Sequence, residues 1–248
     1  MVDANVMDRG SEALKSQLDG VKKMDIRQTR RGCLQELLGC EAKNEFKYYI
    51  DGTEVANSLD DADCCLRFCC NPIYPFETSV KELNTGAEIL HIDRPFKCGV
   101  GNCKCCCYQE ATFSSGGQEI GKIKETCWYC IPTFEVLDHN EAPVYKLRPP
   151  TCCGGLCVNI CAEGNPCGKG CCKVSFRVYP ADQENTNGDA PFIGKVLKQP
   201  KSIATELFTD ADAFLVDFPD DATAAQKGIL MGTTLFLNIN FFEGGDNN

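Results

Sequence analysis

Short runs of strand-forming residues separated by turn residues recur along most of this chain, and this pattern restricts the folds open to it. Between residues 45 and 200 ten such runs begin at intervals of 7 to 30 residues, most often 10 to 18. Asp51-Gly52 between the first two runs is a strong hairpin signal. Such spacing favours an antiparallel sandwich or barrel over alternating strand–helix units. The runs are 46–50, 53–57, 75–83, 87–93, 108–115, 118–125, 133–138, 143–148, 173–180 and 191–198.

The C-terminal part of the chain is a long apolar segment, 222–242, which we interpret as a helix covering about 222–243. Its apolar core, Ile229 to Phe242, is only 14 residues long, whereas a membrane-spanning helix needs about 20. A helix buried inside the fold is therefore preferred to a membrane span. Gly228 and Gly232 are spaced so that strands or another helix could approach it closely.

Residues 1–44 are predicted to form a helical or flexible N-terminal segment, with Leu14 and Leu18 near helical spacing. Overall the chain has 35 acidic and 25 basic residues and a net charge of −10, which counts against nucleic acid as a partner. The N-terminal segment nevertheless contains one basic cluster. We expect this cluster to contact anionic lipid headgroups; the alternative is an ordinary solvated helix face. The cluster consists of Lys22, Lys23, Arg27, Arg30 and Arg31.

Cysteine is unusually frequent, with 20 in 248 residues. Residues 1–20 contain no apolar run of signal-peptide length, so we expect synthesis in a reducing compartment. Many cysteines are adjacent in sequence, and adjacent cysteines rarely form a disulfide with each other. The remaining roles for them are metal ligation, redox chemistry and acylation. The densest cluster is predicted to carry palmitate, since two or more acyl chains attach a protein stably to a membrane. The alternatives are a loop with free thiols that have no function, or a site for a soft metal. The cluster consists of Cys103, Cys105, Cys106 and Cys107.

Other cysteines leave zinc as a weaker alternative. Cys127 and Cys130 are spaced CxxC, but the cysteines considered with them, from Cys153 to Cys171, follow at intervals of four or six residues and form no second CxxC. Only His91 and His139 could add imidazole ligands. No cysteine lies in a local nucleophile signature, so chemical catalysis is not predicted.

Carboxylates are concentrated in residues 210–221, where they suggest a calcium site. The segment departs from an EF-hand loop, with Leu215 where glycine makes the turn. The alternation of Phe214, Val216 and Phe218 predicts a strand that would spread the carboxylates apart, so we expect weak binding. The acidic residues could alternatively belong to a turn or cap the next helix. The expected calcium ligands are Asp210, Asp212, Asp217 and Asp221.

Taken in order, several motifs resemble those of the phospholipid scramblase family. They are CCLRFCC at 64–70, IDRPFKC at 92–98, CKCCCYQE at 103–110, CWYCIPTFEV at 127–136, GKVLK at 194–198, ELFTDADAF at 206–214, FPDD at 218–221 and NFFE at 240–243. The resemblance implies a tubby-like closed antiparallel barrel of about twelve strands, covering 45–243 and surrounding the C-terminal helix. It also implies that the cysteine cluster is acylated and that the aspartate segment binds calcium. Residues 244–248 are expected to be a disordered tail.

The resemblance implies a membrane protein, expected at the cytoplasmic face of the plasma membrane, that moves phospholipids between leaflets. The activity would respond to calcium and need no ATP; no GxxxxGK[ST] motif is present. Its partners would be a bilayer with anionic lipids and further copies of the chain, since one short apolar run offers headgroups no polar path. The alternatives are an acyl-anchored lipid- or protein-binding signalling module without transport, and a zinc- or redox-regulated cysteine-rich protein.

Overall fold

A computed structural model describes residues 10–30, 44–60, 70, 73–99, 107–128, 131–150, 174–187, 189–199 and 213–242, without the side chains of Arg30 and Asn44. Within these residues the chain forms twelve strands and two helices. In chain order they are α1 (Glu12–Leu18), β1 (Lys23–Arg30), β2 (Asn44–Ile50), β3 (Thr53–Leu59), β4 (Phe76–Glu82), β5 (Glu88–Arg94), β6 (Glu110–Ser115), β7 (Gln118–Glu125), β8 (Phe134–Asp138), β9 (Pro143–Arg148), β10 (Val174–Pro180), β11 (Gly194–Gln199), β12 (Ala213–Asp217) and α2 (Ala224–Phe241).

The twelve strands form a closed antiparallel barrel in which each strand pairs with its neighbours in sequence. The first and last strands close it, with Lys23 opposite Asp217 and Arg27 opposite Ala213. Closure leaves the ring without an unpaired edge. The predicted closed barrel is therefore confirmed, and so are the ten strand-like runs and the strand predicted from Phe214 onward.

The helix α2 fills the barrel. Of its 18 residues, 15 are buried, because it is surrounded by strands whose alternate side chains point inward. A capping box begins it: the Thr223 side chain accepts from the Gln226 backbone, and the Gln226 side chain accepts from Thr223 N–H. The predicted buried C-terminal helix is confirmed. Among the described residues, no helix has the length and apolar character required to cross a membrane.

Two glycines on α2 allow its close approach to neighbouring elements. A Cβ at Gly232 would lie 2.5 Å from Cε1 of Phe113 on β6. One turn earlier, a Cβ at Gly228 would lie 3.1 Å from Cδ1 of Leu14 on α1. The GxxxG spacing thus brings one glycine against the barrel wall and the other against the first helix.

The N-terminal region differs from the predicted helical segment. Helix α1 covers only Glu12–Leu18, and Lys23–Arg30 is strand β1. The buried residues Met24, Ile26 and Gln28 recur at every second position, the period of a strand. Gln28 interrupts the apolar alternation, which hides the strand in the sequence. The barrel therefore begins at β1 and not near residue 45.

The antiparallel order divides the connections between the two ends of the barrel. The end from which β1–β2, β3–β4, β5–β6, β7–β8, β9–β10 and β11–β12 connect is here called the cysteine-bearing end, because all 20 cysteines of the sequence belong to the first five of these connections. The other end, called the turn end, has the short hairpin turns and α1. Helix α2 runs from the turn end to the cysteine-bearing end.

Candidate functional site

A buried arginine organises the described part of the cysteine-bearing end. Arg94, the last residue of β5, has no exposed surface. Its guanidinium donates to the Tyr74 carbonyl at 3.0 Å, to Gln109 Oε1 at 2.8 Å and to Asn240 Oδ1 at 3.1 Å. The Phe236 ring lies 5.7 Å from the guanidinium carbon. A buried charge is stable only when it is hydrogen-bonded, and these partners provide the bonds. Through them Arg94 joins the β3–β4 and β5–β6 connections to the end of α2.

Gln109 extends this network to the β5–β6 connection. Its hydrogen bonds with Arg94, Glu125, Lys97 and Gly99 are here called the clamp. Its side-chain amide donates to the carbonyls of Lys97 and Gly99 at 2.8 and 2.9 Å. Its backbone N–H donates to a Glu125 carboxylate oxygen at 2.9 Å. The other oxygen of Glu125 accepts from Trp128 Nε1 at 2.6 Å. The start of the β7–β8 connection is thereby joined to the same network.

The clamp brings two thiols into contact. Cys98 and Cys107 have their sulfur atoms 3.3 Å apart. Cys98 is exposed and Cys107 half-buried, and the hydrogen bond with Cys107 raises the pKa of the Cys98 thiol. Of the predicted acylation residues, only Cys107 belongs to the described residues. Cys103, Cys105 and Cys106 lie outside them.

Strand β12 lies between the residue that follows Asp212 and the carboxylates of Asp217 and Asp221. Asp217 ends β12 near the turn end and is ion-paired with Lys195 Nζ at 3.0 Å. Ala213, next in sequence to Asp212, lies four residues earlier on this strand, about 13 Å away. Asp221 is exposed at the turn end. Asp210 and Asp212 lie outside the described residues. The strand thus separates Asp217 and Asp221 from its first residue, as the apolar alternation predicts.

The predicted basic cluster does not form a helix face: Lys23, Arg27 and Arg30 belong to strand β1, and Lys22 comes directly before it. At the turn end, Lys22 Nζ lies 3.2 Å from an Asp220 carboxylate oxygen. Lys23 Nζ lies 3.7 Å from an Asp217 carboxylate oxygen. The Arg27 guanidinium lies over the Tyr49 ring, 4.6 Å from its centroid. Arg30 ends the strand at the cysteine-bearing end, its side chain not described, and Arg31 lies outside the described residues. Two of the predicted headgroup contacts therefore pair with carboxylates of the 210–221 segment.

A polar groove of about 720 Å³ lies on the outer wall of the barrel. It occurs where β3 and β4 pair at only three positions, and its lining residues come mainly from the halves of β2, β3 and β4 nearer the cysteine-bearing end. Its volume is within the range of small-molecule sites, about 300–1,000 Å³. Acidic and basic side chains both line it, together with amide and hydroxyl groups: Glu45, Asn57, Glu77, Ser79, Lys81 and His91.

Comparison with known proteins identifies the family. The family model for scramblases matches residues 13–244. The chain belongs to the scramblase family. It is 30% identical to phospholipid scramblase 1 of Homo sapiens over 212 residues, which is 85% of this chain and 60% of that relative. It is also 30% identical to phospholipid scramblase 2 of Bos taurus over 212 residues, covering 85% of this chain and 65% of that relative. The chain thus spans less than two thirds of these relatives. No solved structure matches it.

The motifs that carry the family resemblance converge in the polar network. Arg94 comes from IDRPFKC, Gln109 from CKCCCYQE and Trp128 from CWYCIPTFEV. No role was predicted from these motifs for Arg94, Gln109 or Cys98. The sequence feature that could have indicated these roles is that an arginine, a glutamine and a cysteine lie beside the ends of predicted strands. In the described part of the chain, no three cysteine, histidine or acidic side chains are placed to hold a metal ion.

Proposed function

We propose that this chain is a membrane-attached phospholipid scramblase that moves lipids between leaflets without ATP, in response to calcium, at the cytoplasmic face of the plasma membrane. The observation that carries the proposal is the family membership, which covers nearly the whole chain. The barrel is the working unit, and its cysteine-bearing end faces the bilayer.

Orientation of the barrel follows from the placement of its cysteines. Palmitate on Cys103, Cys105, Cys106 and Cys107 would attach the β5–β6 connection to the bilayer, each buried methylene contributing about 0.8 kcal/mol. Four chains exceed the two needed for stable attachment. Lys22 and Lys23 lie at the opposite end of β1, so we assign headgroup contact to Arg30 and Arg31, which come at or after the end of β1 nearer the cysteines.

The groove between β3 and β4 supplies a polar surface close to that end. The interior of the barrel is filled by α2, so lipid headgroups would move along the outer wall. In the groove, Glu77 offers a carboxylate to a headgroup ammonium, while Lys81 and His91 can face a phosphate. His91 Nε2 lies 3.1 Å from a Glu77 oxygen, so an imidazole nitrogen and a carboxylate are presented side by side. Several copies of the chain, or local thinning of the bilayer, would shorten the remaining distance.

Calcium would act through the segment that precedes β12. Asp217 has Lys195 as an ion-pair partner, which favours Asp210 and Asp212 as the essential ligands. With two such carboxylates the dissociation constant should fall at the weak end for protein sites, about 10⁻⁴ to 10⁻³ M. The response would then need high local calcium.

A second function is favoured by the filled interior of the barrel. An acyl-anchored module that binds lipids or protein partners without transporting lipid needs no path for headgroups. Both functions share the anchor and the orientation, and they differ only in whether lipid crosses the bilayer.

Reconstitution of the acylated full chain in vesicles distinguishes the two. Vesicles containing anionic lipid and a fluorescent phospholipid in both leaflets are treated with a membrane-impermeant quencher, with and without Ca²⁺ and with no ATP. Scrambling predicts loss of nearly all fluorescence, and an anchored binding module predicts loss of only the outer half.

Matched variants test the groove. Glu77→Gln with Lys81→Gln removes one acid and one base from it, and should slow quenching of the inner leaflet. Glu119→Gln with Lys124→Gln removes the same charges from exposed positions on β7 and should leave the rate unchanged. Equal rates in the two double variants would exclude the groove as the lipid path.

A further inference from the structure

We propose that Cys98 and Cys107 form a reversible intramolecular disulfide, which makes the β5–β6 connection a redox-sensitive site. The two sulfurs are 3.3 Å apart, and a disulfide requires about 2.05 Å. A movement of little more than 1 Å therefore brings them to bonding distance. Among the described cysteines, which also include Cys70 and Cys127, this is the pair brought into sulfur–sulfur contact.

The surrounding backbone holds both thiols in place. Gln109 donates to the carbonyls of the residues on either side of Cys98 and lies only two positions after Cys107. Lys97 Nζ lies 2.7 Å from a Glu110 carboxylate oxygen. This ion pair joins the end of β5 to the start of β6, as the hydrogen bonds of Gln109 do. Cys107 has φ +59°, a left-handed conformation rare for a residue with a side chain. The clamp fixes the positions of the two cysteines before any reaction.

Oxidation needs a hydroperoxide or a small disulfide as co-reactant. Cys98 is exposed to solvent, and the small fraction of it present as thiolate attacks a peroxide oxygen; the O–O bond breaks, and a sulfenic acid and hydroxide form. The Cys107 sulfur then loses its proton and attacks the sulfenic sulfur, so that an S–S bond forms and the S–O bond breaks. Two thiols lose two electrons and two protons, and one hydrogen peroxide becomes two water molecules. A thiol reductant reverses the change by exchange.

The site has a consequence that rests on the proposed acylation. Cys107 cannot carry palmitate while it is bonded to Cys98, so oxidation would leave three acylation positions in the cluster. Conversely, palmitate on Cys107 would protect Cys98 from pairing. Oxidant and acyl donor would thus compete for one sulfur atom.

Mapping the disulfide tests the inference without lipid or acylation. The reduced full chain is treated with a slight excess of hydrogen peroxide, blocked with iodoacetamide and digested with trypsin. Cleavage after Lys97, Lys104 and Lys122 separates the two cysteines into peptides 98–104 and 105–122. Fragmentation of the joined peptides should assign the main bond to Cys98 and Cys107. Oxidised glutathione should yield the same bond.

Three variants and one solvent condition complete the experiment. Cys98→Ser and Cys107→Ser should each abolish the dominant cross-link, while the matched control Cys127→Ser should leave it unchanged. In urea the bonding should spread over many cysteines, because the clamp is lost. A main bond through Cys103, equal bonding of Cys98 to several partners in the native chain, or the same pattern in urea would overturn the proposal. Failure of acylation would leave this result untouched.

Discussion

Replacing Gly232 with alanine should destabilise the barrel, because the added Cβ would lie 2.5 Å from Cε1 and 2.7 Å from Cδ1 of Phe113. Phe113 is fully buried and cannot turn away without moving its neighbours. Overpacking of this kind costs about 1–3 kcal/mol. Alanine also favours a helix interior over glycine by about 1 kcal/mol. The net expectation for Gly232→Ala is a loss of about 0–2 kcal/mol in the free energy of unfolding.

Gly228→Ala is the matched control, since it adds the same methyl group to the same helix one turn earlier. Its Cβ would lie 3.1 Å from Leu14 Cδ1 and 3.4 Å from Ile120 Cδ1, which are ends of flexible side chains. A small shift relieves these contacts, so the propensity gain of about 1 kcal/mol should prevail. Because propensity cancels in the comparison, Gly232→Ala should be less stable than Gly228→Ala by about 1–3 kcal/mol.

Urea unfolding of the full chain under reducing conditions, followed by circular dichroism, measures both variants. Equal slopes against urea would show that the same surface is exposed in each. The account of α2 packed directly against β6 would be refuted if Gly232→Ala were as stable as Gly228→Ala.

Two further predictions concern a buried hydroxyl and the calcium segment. Tyr48→Phe removes a buried hydrogen bond of 3.1 Å to Ser58 and should cost about 0.5–1.5 kcal/mol at neutral pH. Burial raises the pKa of Tyr48, so the stability that its hydroxyl contributes is complete below the ordinary pKa of about 10 and is lost as pH rises above it. The unfolding midpoint of Tyr48→Phe should therefore lie below that of the unchanged protein at pH 8 and approach it at pH 11. Asp210→Asn with Asp212→Asn should abolish calcium binding in calorimetry, whereas Asp217→Asn should leave it unchanged, and the reverse result would place the ligands on β12.

The sequence predicts most of the fold because its signals are local. Strands with one face inward alternate apolar and polar residues, and hairpins such as Asp51-Gly52 have characteristic turn residues. Strand β1 was missed because Gln28 occupies an inward position and makes its hydrogen bond with Asn238, about 210 residues later. A glutamine whose partner is so distant appears in the sequence as an ordinary polar residue.

The candidate site was less predictable for the same reason. Arg94 and Asn240 are 146 positions apart in sequence, and no local pattern announces that they meet. The pairing of Lys22 with Asp220 likewise depends on the closure of β1 against β12. Lys22 was predicted to contact lipid and the 210–221 segment to bind calcium, and only the closed ring places Lys22 beside Asp220.

A helix enclosed by a continuous ring of strands also constrains how the protein is assembled. Helix α2 follows all twelve described strands in the sequence, yet it cannot be threaded through a ring that is already shut. The seam between β1 and β12, which joins residues roughly 190 positions apart, must therefore close with the helix in place or after it has docked. Until then the nascent strands are an open curved sheet with an apolar concave face and two unpaired edges, the kind of intermediate most prone to aggregate. Chaperone demand should accordingly be greatest while β12 and α2 are being synthesised, and fall once the seam has closed.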